Sequence, residues 1–319
     1  METLYLPNNV RILLEKSVSN NLPVLLVGET GTGKTAAIRE LALDNGIELV
    51  RINLTGQTGV DDIIGRYLVN EKGTFWVDGS LTAAMRKGYW VVFDELNMAL
   101  PEILAKLHSL LDDDRKITIN EKDGEVVSPH KNFRFFATIN PPDEYVGTKE
   151  LNRAFLSRFP IVLEVGYTDK EAQVLTERTG ISQEQALTLV HIAKEIRKQK
   201  ENGKLSTLAS TRDLIYASTL IQNGIDLGQA VQVSILNKFP KEESNALNKL
   251  IGVITGGKIK IQIGDQEEFK SISALAEFAE EQGLEILNLR KHVEELQNKV
   301  RGSFSTPLMK EEYKKLSGR

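Results

Sequence analysis

The sequence predicts an α/β fold, in which helices cover both faces of a mainly parallel sheet and an all-helical domain follows. Short apolar runs of strand length alternate with helical patterns over the first half of the chain, as is typical of a parallel sheet. A glycine-rich stretch, GETGTGKT, joins the first of these runs to a helix. After about residue 166 the strand patterns stop, and helical patterns continue to about residue 248.

Five segments are predicted as strands of the sheet, because they are short and either apolar throughout or alternating in polarity. They are PVLLVG, ELVRINL, YWVVFDE, FRFFATIN and FPIVLEV. Helical patterns such as KTAAIRELALDNG and ALPEILAKLHSLLDD lie between them. Strands that are joined through helices run parallel, and the helices then cover the faces of the sheet.

Two further segments interrupt this alternation, and each is predicted as a β-hairpin. Residues 65–81 alternate in polarity around a turn at Glu71-Lys72-Gly73. Residues 115–130 do so around Asp123-Gly124, a dipeptide that favours hairpin turns. Both hairpins are therefore expected as additions to the core of the fold.

The composition is that of an ordinary globular protein, and it excludes several kinds of site. Of the 319 residues, 41% are hydrophobic and 26% charged, and the formal net charge is −4 with a pI of about 5.8. This balance leaves no overall positive charge to hold nucleic acid or an anionic membrane. The chain has no cysteine, so disulfides and thiolate-bound metals are excluded, and its four histidines form no pair with metal-ligand spacing.

The sequence shows no targeting feature that would direct the chain to a membrane. We find neither a signal-peptide core near the N-terminus nor an apolar run that approaches the roughly 18 residues of a membrane helix. The absence of cysteine fits a reducing compartment. We therefore expect a cytoplasmic protein.

GETGTGKT is the most specific motif of the chain. It matches the pattern G-x-x-x-x-G-K-[S/T] between a strand and a helix, which is the setting the pattern requires. The glycines let backbone N–H groups turn toward phosphates, and the helix N-terminus adds its dipole. Lys34 is expected to meet the β- and γ-phosphates, and the Thr35 hydroxyl to bind Mg²⁺. The predicted nucleotide contacts are Gly28, Glu29, Thr30, Gly31, Thr32, Gly33, Lys34 and Thr35.

An acidic pair, Asp94 and Glu95, ends the apolar strand YWVVFDE. An acid at the end of an apolar strand is costly unless it meets a cation or solvent. With a phosphate-binding loop upstream, Asp94 is expected to hold the Mg²⁺ shell and Glu95 to polarise the attacking water. The alternative is a solvent-exposed acidic pair in a loop.

Polar residues that follow later elements complete the predicted site. Asn140 ends the strand FRFFATIN, where an amide can orient water near the γ-phosphate; the alternative is an Asn that opens a proline turn. Arg153 and Arg158 lie near a short helix, and Arg212 starts another helix after Ser210 and Thr211. Arginines can neutralise the charge of a transferring phosphate, whereas the alternative for each is a surface salt bridge.

These elements, in this order, resemble the AAA+ ATPases and within them the MoxR-type branch. The resemblance covers about residues 5–235 and is closest to the CbbQ, NorQ and GvpN-like proteins, with midasin modules more distant. The stretches that carry it are GETGTGKT, VVFDELNMALPEILAKLHSLLDDDRKI, HKNFRFFATINPP and YVGTKELNRAFLSRF. The two inserted hairpins also match this branch, which carries one within its second helix and one before the sensor 1 strand.

The resemblance implies roles for individual residues. Lys34 and Thr35 match Walker A, Asp94 and Glu95 match Walker B, and Asn140 matches sensor 1.

The arginines match the family less uniformly. Arg158 matches the arginine finger, which acts on ATP bound to a neighbouring subunit, and Arg153 is offset from that position. Arg212 matches sensor 2, where the family often has Ser-Pro-Arg and this chain has Ser-Thr-Arg.

The resemblance also implies an assembly and a domain scheme. Such proteins are Mg²⁺- and ATP-dependent rings, commonly hexamers, that remodel or activate a partner, often one with a von Willebrand factor A domain. The expected domains are a nucleotide-binding core over residues 1–166, a helical lid over 167–248 and a C-terminal extension over 249–319.

Other functions stay open at this point. A chelatase motor subunit for metal insertion shares the same core, and a nucleotide-dependent switch would need no turnover, although Glu95 favours hydrolysis. The C-terminal extension can be interpreted as a packing or partner-docking helix, or as a helix-turn-helix of a DNA-associated motor. Its presumed recognition helix, EILNLRKHVEEL, has two strong cations against three glutamates, so binding to nucleic acid is possible but not favoured.

Overall fold

A computed structural model describes residues 6–141 and 151–254 of the chain. They divide into two compact units. The first consists of the residues up to Val190 together with Ala209–Gln222, and the second of His191–Leu208 and the residues from Asn223 onward. The first unit contains the sheet.

Nine strands occur in the described residues, and five of them form one sheet. In chain order they are β1 Val24–Val27, β2 Leu49–Asn53, β3 Gly65–Asn70, β4 Gly73–Asp78, β5 Trp90–Asp94, β6 Ile117–Ile119, β7 Glu125–Val127, β8 Arg134–Ile139 and β9 Ile161–Glu164. The sheet has the order β2-β5-β8-β1-β9, and every pair in it is parallel. Strands β2, β5 and β8 lie on one side of β1 in the sheet, and β9 lies on the other. In a parallel sheet, such a switch point in the strand order opens a crevice at the carboxyl ends of the strands.

Eleven α-helices occur in the described residues. They are α1 Asn8–Ser19, α2 Lys34–Asp44, α3 Val60–Ile63, α4 Ser80–Lys87, α5 Pro101–Leu111, α6 Arg153–Leu156, α7 Glu171–Thr179, α8 Gln183–Glu201, α9 Thr211–Gln222, α10 Leu227–Ser234 and α11 Lys241–Ile254. Short 3-10 helices add Leu96–Met98 and Leu236–Lys238.

The two faces of the sheet bury separate apolar clusters. Along β5, Val91 and Phe93 belong to one cluster, and Trp90 and Val92 belong to the other. This alternation follows from the strand period of two. Helices α1 and α2 contribute to the second cluster, whereas α3, α4, α5 and α6 contribute to the first. Helices therefore cover both faces, and the predicted α/β fold class is confirmed.

Both predicted hairpins are present outside the sheet. Strands β3 and β4 pair antiparallel around a turn at Glu71 and Lys72, and β6 and β7 pair around a turn that includes Asp123 and Gly124. The first hairpin exposes large apolar side chains, with Val69 79% exposed. Such side chains in solvent are a feature of surfaces that bind a partner.

The second unit is helical in its described residues. The end of α8, α10 and α11 contribute its buried apolar side chains, which include Ile196, Val231 and Leu250. Asp226 caps α10, because its carboxylate accepts hydrogen bonds from the N–H groups of Gly228 and Gln229. The predicted boundaries at residues 166 and 248 stay predictions, and the predicted extension lies outside the described residues from residue 255 onward.

Candidate nucleotide-binding site

The loop between β1 and α2 has the backbone of a phosphate cradle. Gly31 and Gly33 adopt left-handed conformations with φ of +78° and +90°, which residues with a side chain rarely adopt. Gly33 directly precedes Lys34, the first residue of α2. The loop therefore ends at a helix N-terminus, whose N–H groups and dipole favour an anion.

Two glycines of this loop also permit close packing. A Cβ atom on Gly28 would lie 2.2 Å from the carbonyl oxygen of Val165, and one on Gly31 would lie 2.6 Å from the Cβ of Ser210. Tyr167 adds a hydrogen bond from its hydroxyl to the Thr30 carbonyl at 3.0 Å. The loop is thus fixed by the chain segments that follow β9 and precede α9.

Lys34 is 7% exposed, and its ammonium is fully engaged. Its Nζ donates to the carbonyls of Gly28 at 2.6 Å and Glu29 at 2.8 Å, and to Asn140 Oδ1 at 3.1 Å. Burial lowers the pKa of Lys34 to about 8, although the carboxylates of Asp94 and Glu29 act in the opposite direction. The lysine is thereby held at the loop, next to the amide at the end of β8.

Asp94, the last residue of β5, is 3% exposed and accepts hydrogen bonds at both carboxylate oxygens. Its Oδ1 accepts from the hydroxyls of Thr35 at 2.7 Å and Thr138 at 2.8 Å. Its Oδ2 accepts from Nε of Arg51, with which it forms an ion pair. These partners satisfy a charge whose burial would otherwise be costly.

Glu95 follows in a conformation that is unusual for a residue with a side chain. Its φ is 58° and its ψ 48°, in the left-handed region, at the start of a 3-10 helix. Such a conformation costs on the order of 1–3 kcal/mol and is concentrated at functional sites. The turn leaves Glu95 exposed at a cavity while Asp94 stays buried.

This cavity has a volume of about 510 Å³ and lies within the first unit. Its charged lining residues are the cations Lys34, Arg39, Arg51, Arg178 and Arg212 and the acids Asp94 and Glu95. Five cations against two acids make the cavity positive, although the whole chain carries a formal net charge of −4. A polyanion of nucleotide size fits both the volume and the charge.

The structure brings most of the predicted site residues together. Residues Thr30–Thr35, Asp94, Glu95, Asn140 and Arg212 all line the cavity, and Gly28 and Glu29 contact Lys34 at its edge. Arg158 does not line it. Its Nε instead donates to Asp112 Oδ1 at 2.7 Å, beside a second cavity of about 750 Å³. Arg153, at the start of α6, is exposed and also lies outside the first cavity.

Sequence reasoning missed several residues of the site. Arg51, Thr138, Arg39 and Arg178 line the same cavity. The alternation within ELVRINL places Arg51 on the same strand face as Asn53, and Thr138 is the one hydroxyl residue within β8. The sequence therefore contained a signal for Arg51 and one for Thr138. Arg39 and Arg178 lie on helices, and no sequence pattern distinguishes them.

The described ranges, 6–141 and 151–254, contain neither a candidate metal cluster nor a candidate membrane span. No group of three or more histidine, aspartate or glutamate side chains is arranged to hold a metal ion there. No helix in those ranges is long and apolar enough to span a bilayer.

A parallel sheet with a glycine-rich loop at its switch point, and a buried acid at the end of β5, one strand beyond the neighbour of β1, defines the class of P-loop nucleotide-binding proteins. The family model "AAA domain (dynein-related subfamily)" matches residues 23–159. A second model, "CbbQ/NirQ/NorQ C-terminal", matches residues 171–254.

Two known proteins and one solved structure are similar to this chain over most of its length. The NorQ protein of Paracoccus denitrificans is 31% identical over 257 residues, which are 79% of this chain and 94% of NorQ. Midasin of Dictyostelium discoideum is 36% identical over 268 residues, and this match covers 81% of the chain but 4% of midasin. The crystal structure of NtrX from Brucella abortus shares the fold, with a TM-score of 0.50 and 16% identity over 91% of this chain and 67% of that one.

The chain therefore belongs to the CbbQ/NirQ/NorQ family of MoxR-type AAA+ ATPases. The expected family is confirmed, and membership of it implies nucleotide binding and ATPase activity, which are general properties of AAA+ proteins.

Proposed function

We propose that this protein is a Mg²⁺-dependent ATPase that assembles into a ring and uses hydrolysis to remodel or activate a partner protein. The observation that carries this proposal is the arrangement of Lys34, Thr35 and Asp94 beside the exposed Glu95. A phosphate-binding lysine, a hydroxyl, a buried acid and an exposed acid meet at one positive cavity. Together they provide the groups that hydrolysis of a nucleoside triphosphate requires.

The residues present fit a magnesium ion. The Thr35 hydroxyl lies 2.7 Å from Asp94 Oδ1, so the two oxygens form one end of an oxygen-ligand site, which Mg²⁺ prefers. Thr35 would bind the ion directly and Asp94 its water shell. When bound, Mg²⁺ neutralises charge on the phosphates.

Each polar group around the cavity has its own proposed role in hydrolysis. Lys34 would hold the β- and γ-phosphates, and Glu95 would take up the proton of the attacking water. Asn140 would orient that water, since its amide already lies 3.1 Å from the Lys34 ammonium. Arg212 would contact the γ-phosphate from the N-terminal end of α9.

Ring formation explains why one predicted catalytic residue lies elsewhere. AAA+ proteins form oligomeric rings, so a residue outside the cavity of its own chain can face the cavity of a neighbouring subunit. Arg158 lies outside the cavity of its own chain, at the border of the second cavity. We infer that it acts as an arginine finger on ATP of the neighbouring subunit in a hexamer.

The partner is proposed to be a protein that the first hairpin contacts. Strands β3 and β4 of this hairpin expose five large apolar side chains, those of Tyr67, Leu68, Val69, Phe75 and Val77. So many exposed apolar side chains are unusual for a surface that contacts only solvent. Among the partners of this family, a protein with a von Willebrand factor A domain is the one we would test first. A chelatase-type motor would use the same site, and only the partner distinguishes the two.

The first experiment measures ATPase rate per protomer against protein concentration, for the wild type and Glu95→Gln. A rate that rises steeply with concentration and falls about a hundredfold or more in Glu95→Gln supports a shared, hydrolysing site. Glu102→Gln, at an exposed glutamate of α5, is the matched control.

A near-zero rate in the wild type at every concentration would contradict a self-sufficient motor. ATP binding without turnover would then favour a switch or a motor that needs its partner. Capture of partners with the ATP-loaded Glu95→Gln variant separates these two outcomes.

A further inference from the structure

Arg51 forms an ion pair with Asp94 to which the proposed steps of hydrolysis give no role. Arg51 lies on β2, the edge strand of the sheet, two residues before Asn53. Arg51 pairs in register with Val92 of β5 and Asn53 pairs with Asp94, so Arg51 lies on the same face of the sheet as Asp94. From this position the long Arg51 side chain reaches Asp94, the acid that is proposed to serve the metal, and donates from Nε to its Oδ2.

The two members of this pair differ in burial. The side chain of Asp94 is 5% exposed and is held by Thr35 and Thr138, whereas that of Arg51 is 50% exposed. A long, half-exposed side chain can leave the ion pair at a small cost in free energy, because water then solvates its charge. The carboxylate cannot follow, because the two hydroxyls and its burial fix it.

The ion pair with Arg51 also neutralises the negative charge of the Asp94 carboxylate, which a metal ion would need. An isolated buried carboxylate is strongly unfavourable, and Arg51 supplies the compensating positive charge in the absence of metal. A divalent cation beside Thr35 would face the same carboxylate. A metal ion and the Arg51 guanidinium repel each other when both lie next to Asp94. Each therefore weakens the binding of the other to this carboxylate.

We propose that Arg51 is a built-in competitor of the metal for Asp94, so that the cation enters with the nucleotide and not before it. Arg51 holds the acid in the nucleotide-free protein. The phosphates of a Mg²⁺–nucleotide complex add the negative charge that makes release of the arginine favourable. Arg51 is in this sense a positioning residue, and the inference rests on the proposed nucleotide site.

The test measures metal binding without nucleotide, with Mn²⁺ as the probe followed by electron paramagnetic resonance. Removal of the competitor should make Arg51→Met bind Mn²⁺ about tenfold more tightly than the wild type. Arg39→Met removes the same charge from the same cavity without contact to Asp94, and its affinity should change by less than about twofold. In Asp94→Asn, the added Arg51→Met change should give no gain.

Stability supplies a second readout that does not depend on metal. Without metal or nucleotide, Arg51→Met should melt at a lower temperature than the wild type, and this difference should vanish in the Asp94→Asn background. Arg51→Lys keeps the charge, so its Mn²⁺ affinity should lie between those of the wild type and Arg51→Met. This variant keeps the test usable if Arg51→Met fails to fold.

The outcomes separate this inference from the proposed function. Unchanged Mn²⁺ affinity in Arg51→Met, or an equal gain in Arg39→Met, overturns the competitor role while ATP binding by the wild type stays intact. Failure of the wild type to bind ATP would instead overturn the proposed function itself.

Discussion

Arg158 Nε and Asp112 Oδ1 lie 2.7 Å apart, and this pair joins the end of α6 to the end of α5 outside the cavity of the phosphate loop. Arg158 also donates from Nη1 to the Ala154 carbonyl. Its side chain is 30% exposed, so the guanidinium is oriented and yet accessible. A group with these properties is suited to act on a site that another subunit supplies.

Mixing two inactive variants tests whether Arg158 acts between subunits. Arg158→Ala should bind ATP and lose turnover by about a thousandfold, because a finger stabilises charge that develops only during transfer. Glu95→Gln should be inactive for a different reason. In mixed rings, a Glu95→Gln subunit supplies its Arg158 to the intact Glu95 site of its neighbour, so ATPase activity should reappear.

The control for this experiment is Arg153→Ala, which removes a nearby exposed arginine. Arg153→Ala should retain its ATPase activity without being mixed with Glu95→Gln. No recovery in rings that are shown to contain both variants would mean that Arg158 acts within its own chain or not at all. Retained turnover in Arg158→Ala would transfer the role to Arg153.

Asp112 is expected to hold Arg158, the proposed arginine finger, in its working orientation. Asp112→Asn keeps the shape and removes the charge, so turnover should fall about tenfold as the guanidinium loses its fixed direction. ATP affinity should stay unchanged, because Asp112 lies outside the nucleotide cavity. Asp113→Asn is the matched control, since Asp113 is an exposed neighbour in the same acidic run. A rise in turnover would show instead that Asp112 restrains the finger.

Gly28 is expected to be required for packing as well as for phosphate binding. An added Cβ would lie 2.2 Å from the Val165 carbonyl oxygen, so β1 and the segment after β9 would have to separate. Gly28→Ala should therefore lower the free energy of unfolding by about 1–3 kcal/mol, measured by denaturant titration without nucleotide. Gly166→Ala is the control, because a Cβ there meets no atom within 4 Å. Equal stability of the two variants would contradict the close approach.

Local features explain how much of this fold was predictable. The strand segments are apolar runs bounded by turn residues, and the phosphate loop is a contiguous motif, so each can be recognised within a few residues. The hairpin turns at Glu71-Lys72 and Asp123-Gly124 depend on the same short-range chemistry. Prediction succeeded where the determining contacts are close in sequence.

Contacts between distant segments explain what was missed. The pairing of Arg51 with Asp94 requires the register of β2 against β5, and that of Arg158 with Asp112 joins residues that are 46 positions apart. Thr138 reaches Asp94 only because β8 lies beside β5. The left-handed backbone of Glu95 has no signal in its residue type, because glutamate rarely adopts that conformation.

His108 predicts a pH dependence of stability. It lies on α5, where its ring packs edge-on against Phe155 with 4.9 Å between ring centroids. Burial lowers the pKa of His108, and the nearby Arg158 charge lowers it further. The folded protein therefore takes up this proton at a lower pH than the unfolded chain, whose histidines titrate near pH 6.5. As the pH falls through that value, the unfolded state binds more protons, so stability decreases.

The measurement compares melting temperatures at about pH 8 and about pH 5, on either side of the histidine pKa of the unfolded chain. The acid-induced decrease should be smaller in His108→Gln than in the wild type, because glutamine cannot take up the proton. His191→Gln, at an exposed position of α8, should leave the decrease as large as in the wild type. If His108→Gln lost as much stability in acid as the wild type, other groups would account for the acid sensitivity. The packing of His108 against Phe155 would then make no contribution to the pH dependence of stability.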